Sequence, residues 1–228
     1  MDTEILADAT AVATRVAEFI AAEARAAVQA RGRFAFAVSG GHTPWQMLRL
    51  LAQQDVPWSA VHLFQVDERV APAGDADRNL THIGESLLGA IALPPAQLHA
   101  MPVEAANLDA AARAYAQTLA GVAGTPAVLD LVHLGLGPDG HTASLVPGDP
   151  VLDLAGADVG LTGEYMGRRR MTLTFPVLDR ARRVLWLATG AEKRAMLARL
   201  RAADATIPAG RVAQQRALVL TDRAALAA

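Results

Sequence analysis

Cysteine is absent from all 228 residues, which excludes disulfides, thiolate nucleophiles and cysteine-built zinc sites. Aromatic residues are scarce at 4%, and the apolar half of the chain leans on Ala, Leu and Val. That composition suits helices laid over a sheet of aliphatic strands. A basic excess is also missing: 21 Lys and Arg face 23 Asp and Glu, a net charge of -2, which argues against a general nucleic-acid binder. No run approaches the roughly 18 apolar residues of a membrane span. The first residues are acidic, and Arg15, Glu18, Glu23 and Arg25 break the apolar run that a secretory signal would need. A cytoplasmic protein is expected, with no nucleic-acid or membrane partner and with a monomer as the favoured form.

What is present alternates between two periods. Residues 7–30 repeat apolar side chains at helical spacing, and FAFAV (34–38) follows as a short buried strand. Thr43 reads as an N-cap with Pro44 opening the helix WQMLRLLAQ. VHLFQV (61–66) predicts a strand, 67–79 a long polar loop, and helices are expected near 81–90 and 107–120. LDLVHLGL (129–136), RMTLTF (170–175), RVLWLAT (183–189) and RALVLTD (216–222) read as strands. AEKRAMLARLRA (191–202) reads as a helix, and a short helical tail closes the chain. The stretch to about residue 161 is rich in loops. With no linker and no repeat, residues 1–228 are expected to form a single-domain three-layer αβα sandwich on a mostly parallel, Rossmann-like central sheet.

In such sheets ligands bind beyond the carboxyl ends of the strands, and three unusual loops fall there. SGGHTP (39–44) puts glycines ahead of a helix N-terminus, a natural phosphate cradle, although an ordinary tight turn has the same composition. VDER (66–69) sets two carboxylates beside Arg69, which can fix the arginine on an anion or hold a sugar hydroxyl, with a solvated surface ion pair as the commoner fate of such triplets. GLGPDGHTASLVPG (135–148) formally contains G-x-G-x-x-G, but Pro147-Gly148 follows too soon for a dinucleotide-binding helix. It does present His141 two residues after Asp139. An imidazole titrates near neutrality and can take a proton from water while a carboxylate orients it. Arg168, Arg169, Arg170, Arg180, Arg182 and Arg183 crowd one stretch, mostly as a solvated face, with one or two available to a phosphate. There is no H-E-x-x-H, no Walker lysine and no G-x-S-x-G elbow, so no metal site is expected and Ser39 and Ser144 read as binding or structural residues.

SGGHTP, VDERVAP…DRN, LDLVHLGLGPDGHTASLVPG and RRRMTLTFPVLDRARRVLWLATGAEKRAML occur in the order found in the 6-phosphogluconolactonases, which this chain resembles from about Ala7 to its C-terminus. The resemblance implies a fold shared with the glucosamine-6-phosphate deaminases and ribose-5-phosphate isomerases. It implies hydrolysis of 6-phospho-D-glucono-1,5-lactone to 6-phosphogluconate in the oxidative pentose phosphate pathway, without metal or organic cofactor. His141 would activate water, Asp139 would support it, and Asp67 would lie near the sugar ring or the water. Ser39, Gly40, Gly41, His42, Thr43, Arg69, Arg170 and Lys193 would surround the phosphate. The deaminases continue their histidine segment to a glutamate where this chain has Val146, and carry DEY in place of DER. A deaminase-like enzyme and a non-catalytic sugar-phosphate-binding domain are the competing readings. The chain departs from the lactonase pattern at EYMGRRRMT (164–172), where a Lys-Pro-Pro-type stretch is usual, and at DRN (77–79).

Overall fold

The computed structural model describes residues 1–226, apart from the side chain of His42. Strand β1 (Asp2–Leu6) leads into helix α1 (Ala9–Arg31). Asp8 starts α1 by accepting the Ala11 amide at 2.9 Å, and Gly32 ends it at φ 73°, a left-handed cap that only glycine adopts without strain. Then come β2 (Phe34–Val38), α2 (His42–Leu51), β3 (Val61–Gln65), β4 (Asp67–Arg69), α3 (Asn79–Ser86) and β5 (Leu98–His99). Helix α4 (Leu108–Ala123) begins behind Asn107, whose side chain accepts from Ala110. The remaining elements are β6 (Leu131–Gly135), β7 (Val159–Leu161), β8 (Arg170–Leu173), α5 (Phe175–Arg180), β9 (Val184–Ala188), α6 (Arg194–Arg201), α7 (Pro208–Arg211) and β10 (Ala217–Asp222).

Seven strands form one parallel sheet in the order β1-β10-β9-β6-β2-β3-β5. Alternation along β2 explains its two faces. Phe34, Phe36 and Val38 pack with α1, α2 and α3, while Ala35 and Ala37 face α4, α5 and α6 on the other side. Both faces are therefore buried, as an all-parallel sheet requires, and the expected αβα sandwich forms. A second sheet, β4-β8-β7, is antiparallel and adds Met171, Leu173 and Val159 to the α4 side of the core.

Several local expectations change. Strand β1 was not foreseen because its residues sit half exposed at the sheet edge and lack an alternating pattern. Residues 67–79 are not all loop: Asp67–Arg69 pair with Arg170–Thr172, so a polar triplet becomes a strand through its partner rather than its own pattern. RMTLTF yields a strand only to Leu173, in the second sheet, and Phe175 opens α5. Helix α2 is capped by Gly41 rather than Thr43. Gly41 turns the chain at φ 128°, and Pro44 tolerates the first turn because no amide is needed there. Residues 224–226 make a turn where a helical tail was expected, and Ala227 and Ala228 lie outside the described residues.

The chain steps from β2 outward through β3 to β5, and from β6 outward through β9 to β10. The crossovers diverge at the β2–β6 boundary, the switch point over which α/β sheets open a binding crevice. His133 lies fully buried on β6 at this boundary, its Nδ1 accepting the Ser39 amide at 3.4 Å. Burial pushes its pKa down from 6.5 to about 3. Below pH 6.5 the unfolded chain takes up a proton that the folded chain refuses, so this residue's contribution to stability is complete above pH 6.5 and drains as pH falls toward 3. Each pH unit in that window costs up to about 1.4 kcal/mol. Urea unfolding of the wild type between pH 6.5 and 5 should therefore lose stability more steeply than that of His133→Gln; parallel curves would contradict this assignment.

Candidate active site

The carboxyl ends of β2, β3, β6 and β9 deliver their loops to one cleft of about 230 Å³, lined by Ser39, Gly40, Gly41, Asp67, Arg69, Asn79, residues 135–138, His141, Ala143, Arg170 and Lys193. Most of the residues singled out in the sequence meet here. Thr43 lines an adjoining cavity with Gly40, Gly41 and Lys193, Asp139 lies against His141, and the side chain of His42 lies outside the described residues.

The loop after β6 is folded tightly on itself. The Gly137 amide donates to the His141 carbonyl at 2.8 Å, and Gly140 to Gly137 at 3.1 Å. A side chain at Gly137 would overlap the imidazole, and one at Gly140, which has φ 82°, would strike Ile207. Glycine is thus required twice within four residues to bring the ring this close to the backbone. Asp139 Oδ1 accepts the His141 amide at 3.1 Å and sits 2.5 Å from its Nδ1. This contact keeps the proton on Nδ1 and leaves Nε2 as the basic nitrogen; among the described residues Nε2 has no hydrogen-bond partner. Burial favours the neutral acid at Asp139, but hydrogen bonds from the His141 backbone and ring and from Tyr165 outweigh it and hold the carboxyl below its usual range.

Across the cleft, Arg69 and Arg170 are paired residues on neighbouring antiparallel strands. Like charges placed opposite each other destabilise a sheet, a cost that a bound anion would relieve. Burial, then the charge of Arg69, lowers the Arg170 pKa, against opposing contributions led by Asp67. The Arg170 Nε is buried with no partner among the described residues. Arg69 is fixed by Asn79 Oδ1 and by the Asp77 carbonyl at 3.1 Å. Lys193 ends a short 3₁₀ turn, Ala191–Lys193, which starts at Gly190. The Gly190 amide is gripped by both oxygens of Asp222 at 3.1 Å.

The remaining arginines of the crowded stretch are accounted for elsewhere. Arg168 pairs with Asp75 and Asp77, Arg180 with Asp158, Arg182 with Asp130, and Arg183 lies near Glu23. Arg169 reaches the Thr162 carbonyl. Arg170 is the member of the run 168–170 that lines the cleft holding His141.

On the side of residues 39–44, Gly41 sets the first turn of α2, and the Thr43 hydroxyl lies 3.1 Å from that of Thr189. The Ser39 Oγ is buried without a partner among the described residues. Gly40 packs against the Asn79 side chain so closely that any Cβ would collide with it. Asp67, also buried, accepts the Ser144 hydroxyl at 2.6 Å, which ties β4 to the histidine loop. Val146 is a core residue, so the carboxylate that braces His141 is Asp139. No group of three or more His, Asp or Glu able to hold a metal occurs among the described residues, and no helix there is long and apolar enough to cross a membrane.

Three contributors were not legible as site residues. Asn79 stood out only as a pattern departure, Glu68 was read merely as part of a charged triplet, and Tyr165 gave no signal beyond being one of two tyrosines.

The chain is similar to known proteins in sequence and in fold. The family described as glucosamine-6-phosphate isomerases/6-phosphogluconolactonase matches residues 7–221. A 6-phosphogluconolactonase of Mycobacterium tuberculosis is 38% identical over 238 residues, spanning 98% of this chain and 96% of the relative. One from Synechocystis is 38% identical over 183 residues, spanning 78% and 76%. The crystal structure of 6-phosphogluconolactonase from Thermotoga maritima superposes with a TM-score of 0.86 at 27% identity, covering 97% of this chain and 98% of that one. With the family matched over nearly its whole length and its loops converging on one cleft, the chain belongs to the glucosamine-6-phosphate isomerase/6-phosphogluconolactonase family.

Proposed function

We propose that this protein hydrolyses 6-phospho-D-glucono-1,5-lactone to 6-phosphogluconate, the lactonase step of the oxidative pentose phosphate pathway, as a cytoplasmic monomer. The observation that carries this reading is the convergence of a carboxylate-braced imidazole and three cationic side chains on one cleft. The relatives named above support it, since both curated ones are 6-phosphogluconolactonases.

Arg69, Arg170 and Lys193, with the α2 N-terminus and the Ser39 and Thr43 hydroxyls, hold the phosphate dianion through charge and oriented amides. Fixing the phosphate orients the lactone carbonyl over His141. The neutral Nε2 removes a proton from a water as its oxygen bonds to C1, and the carbonyl electrons move onto oxygen. The tetrahedral oxyanion then collapses, the ring C1–O bond breaks, and the imidazolium returns its proton to the departing ring oxygen. Asp139 stabilises the transient imidazolium. Asp67, fixed by Ser144, faces the sugar ring or the water. No covalent nucleophile is required, because a lactone is already an activated ester. The absence of a second carboxylate at position 146 weighs against ring-opening deamination.

The direct assay generates the lactone in situ from glucose-6-phosphate and follows its decay with and without protein, alongside ammonia release from glucosamine-6-phosphate. Lactone decay should accelerate and ammonia should not appear; the reverse pattern identifies a deaminase, and binding without turnover identifies a sensor. His141→Ala should cut kcat by at least about 100-fold while product binding stays within a few-fold; near-wild-type turnover would refute the general-base role. Arg69→Ala and Lys193→Ala should raise KM about ten-fold each with smaller changes in kcat, and an unchanged KM in both would move the phosphate elsewhere.

A further inference from the structure

Resting on that reading of His141 and Arg170, we propose that Tyr165 is a positioning residue that aligns the Asp139–His141 pair and the phosphate-binding Arg170 together. The residue comes from the segment between β7 and β8. Thr162 and Arg170 are joined by the Thr162 amide to the Arg170 carbonyl at 2.9 Å and by the Arg170 amide to the Thr162 hydroxyl at 3.0 Å. Further out, the Tyr165 amide donates to the Arg168 carbonyl at 3.0 Å and the Arg168 amide returns the bond at 3.3 Å. Met166 and Gly167 close the turn with φ 52° and 77°, the positive pair that a two-residue hairpin of the type I′ class uses. Arg168 pins the hairpin to Asp75 and Asp77. The tyrosine is therefore delivered by a short, anchored hairpin.

From there its side chain meets three groups of the site. The hydroxyl donates to Asp139 Oδ2 at 3.0 Å, the oxygen that His141 does not use. The ring lies under the Arg170 guanidinium at 4.9 Å, a cation–π contact. Its edge also meets the imidazole, at 5.6 Å between centroids and 67° between planes.

Asp139 sits on a loop with about a third of its side chain exposed, at 35%, so water competes for its free oxygen and its carboxylate can rotate. With Oδ2 held by Tyr165, rotation is blocked, Oδ1 stays aimed at Nδ1, and the basic Nε2 keeps its direction into the cleft. A group that orients a histidine through its carboxylate partner changes turnover without touching substrate. Tyr165 does not line the cleft itself and acts through Asp139 and Arg170. Its ring ties this alignment to Arg170, so the dyad and the phosphate clamp share one support.

Steady-state kinetics on purified full-length variants distinguish the two contacts. Tyr165→Phe keeps the ring and loses the hydroxyl, so kcat should fall about ten-fold, as expected for a lost hydrogen bond to a charged group, with KM within two-fold. Tyr165→Leu loses the ring as well and should add a rise in KM of about five-fold. In an Asp139→Ala background, Tyr165→Phe should change kcat by less than about two-fold, because the partner through which it acts is gone. A Tyr165→Phe kcat within two-fold of wild type overturns the inference, as does an undiminished loss in the Asp139→Ala background. Wild-type protein that does not accelerate lactone decay overturns the underlying functional reading instead, and this inference with it.

Discussion

A fully buried carboxylate, Glu68, organises the side of the cleft opposite the histidine. Removing a charge from water is costly unless every lone pair finds a partner. Here Oε1 accepts the amides of Arg69 and Asn79 at 2.9 and 2.8 Å, and Oε2 accepts the Leu80 amide and the Gln65 side chain at 2.8 Å each. The Arg78 guanidinium lies 3.2 Å away and balances the charge. The carboxylate thereby caps the first turn of α3 from a neighbouring strand, where a negative charge suits the helix dipole. One side chain thus closes residues 68–80 into a rigid unit, and Arg69, Asn79 and the wall against Gly40 all belong to it.

That unit faces a deliberately unbalanced field. Arg69 and Arg170 stand in register on adjacent strands, and Arg69 is held by neutral acceptors, Asn79 and a carbonyl. Around them Arg168, Arg180 and Arg182 are matched with aspartates. Those three are thus neutralised by carboxylates, while Arg69 and Arg170 have no salt-bridge partner among the described residues. Preorganisation of this kind moves the cost of assembling like charge into folding, so that an anion entering such a cleft would meet donors already in place.

The sandwich was legible because period two and period 3.6 alternate along much of the chain, and each buried strand ends in glycine or polar residues. Ser39, Arg69 and His141 were found because they follow such strand ends directly. The second sheet was not legible: β4 is made of Asp67, Glu68 and Arg69, which no propensity marks as a strand, and it exists by pairing with β8. Asn79 and Tyr165 were missed for a related reason. Asn79 reaches the cleft from a helix start and Tyr165 stands behind it on a hairpin remote in sequence, and their roles come from what tertiary packing places beside them. The misplaced cap of α2 shows the same limit locally, since Thr43 has capping chemistry but Gly41 has the dihedral freedom that decides where the turn begins.

The first strand of the chain pairs with the last: Asp2–Leu6 lie along Leu218–Asp222. Asp222, the final residue of that pairing, also grips the Gly190 amide ahead of Lys193. During synthesis β1 waits, unpartnered on this side, until β10 has left the ribosome, and the turn that carries the lysine cannot be locked before then. Such a long-range closure is paid in loop entropy and comes late. The turn ahead of Lys193 should consequently be among the later parts of the described fold to lock into place.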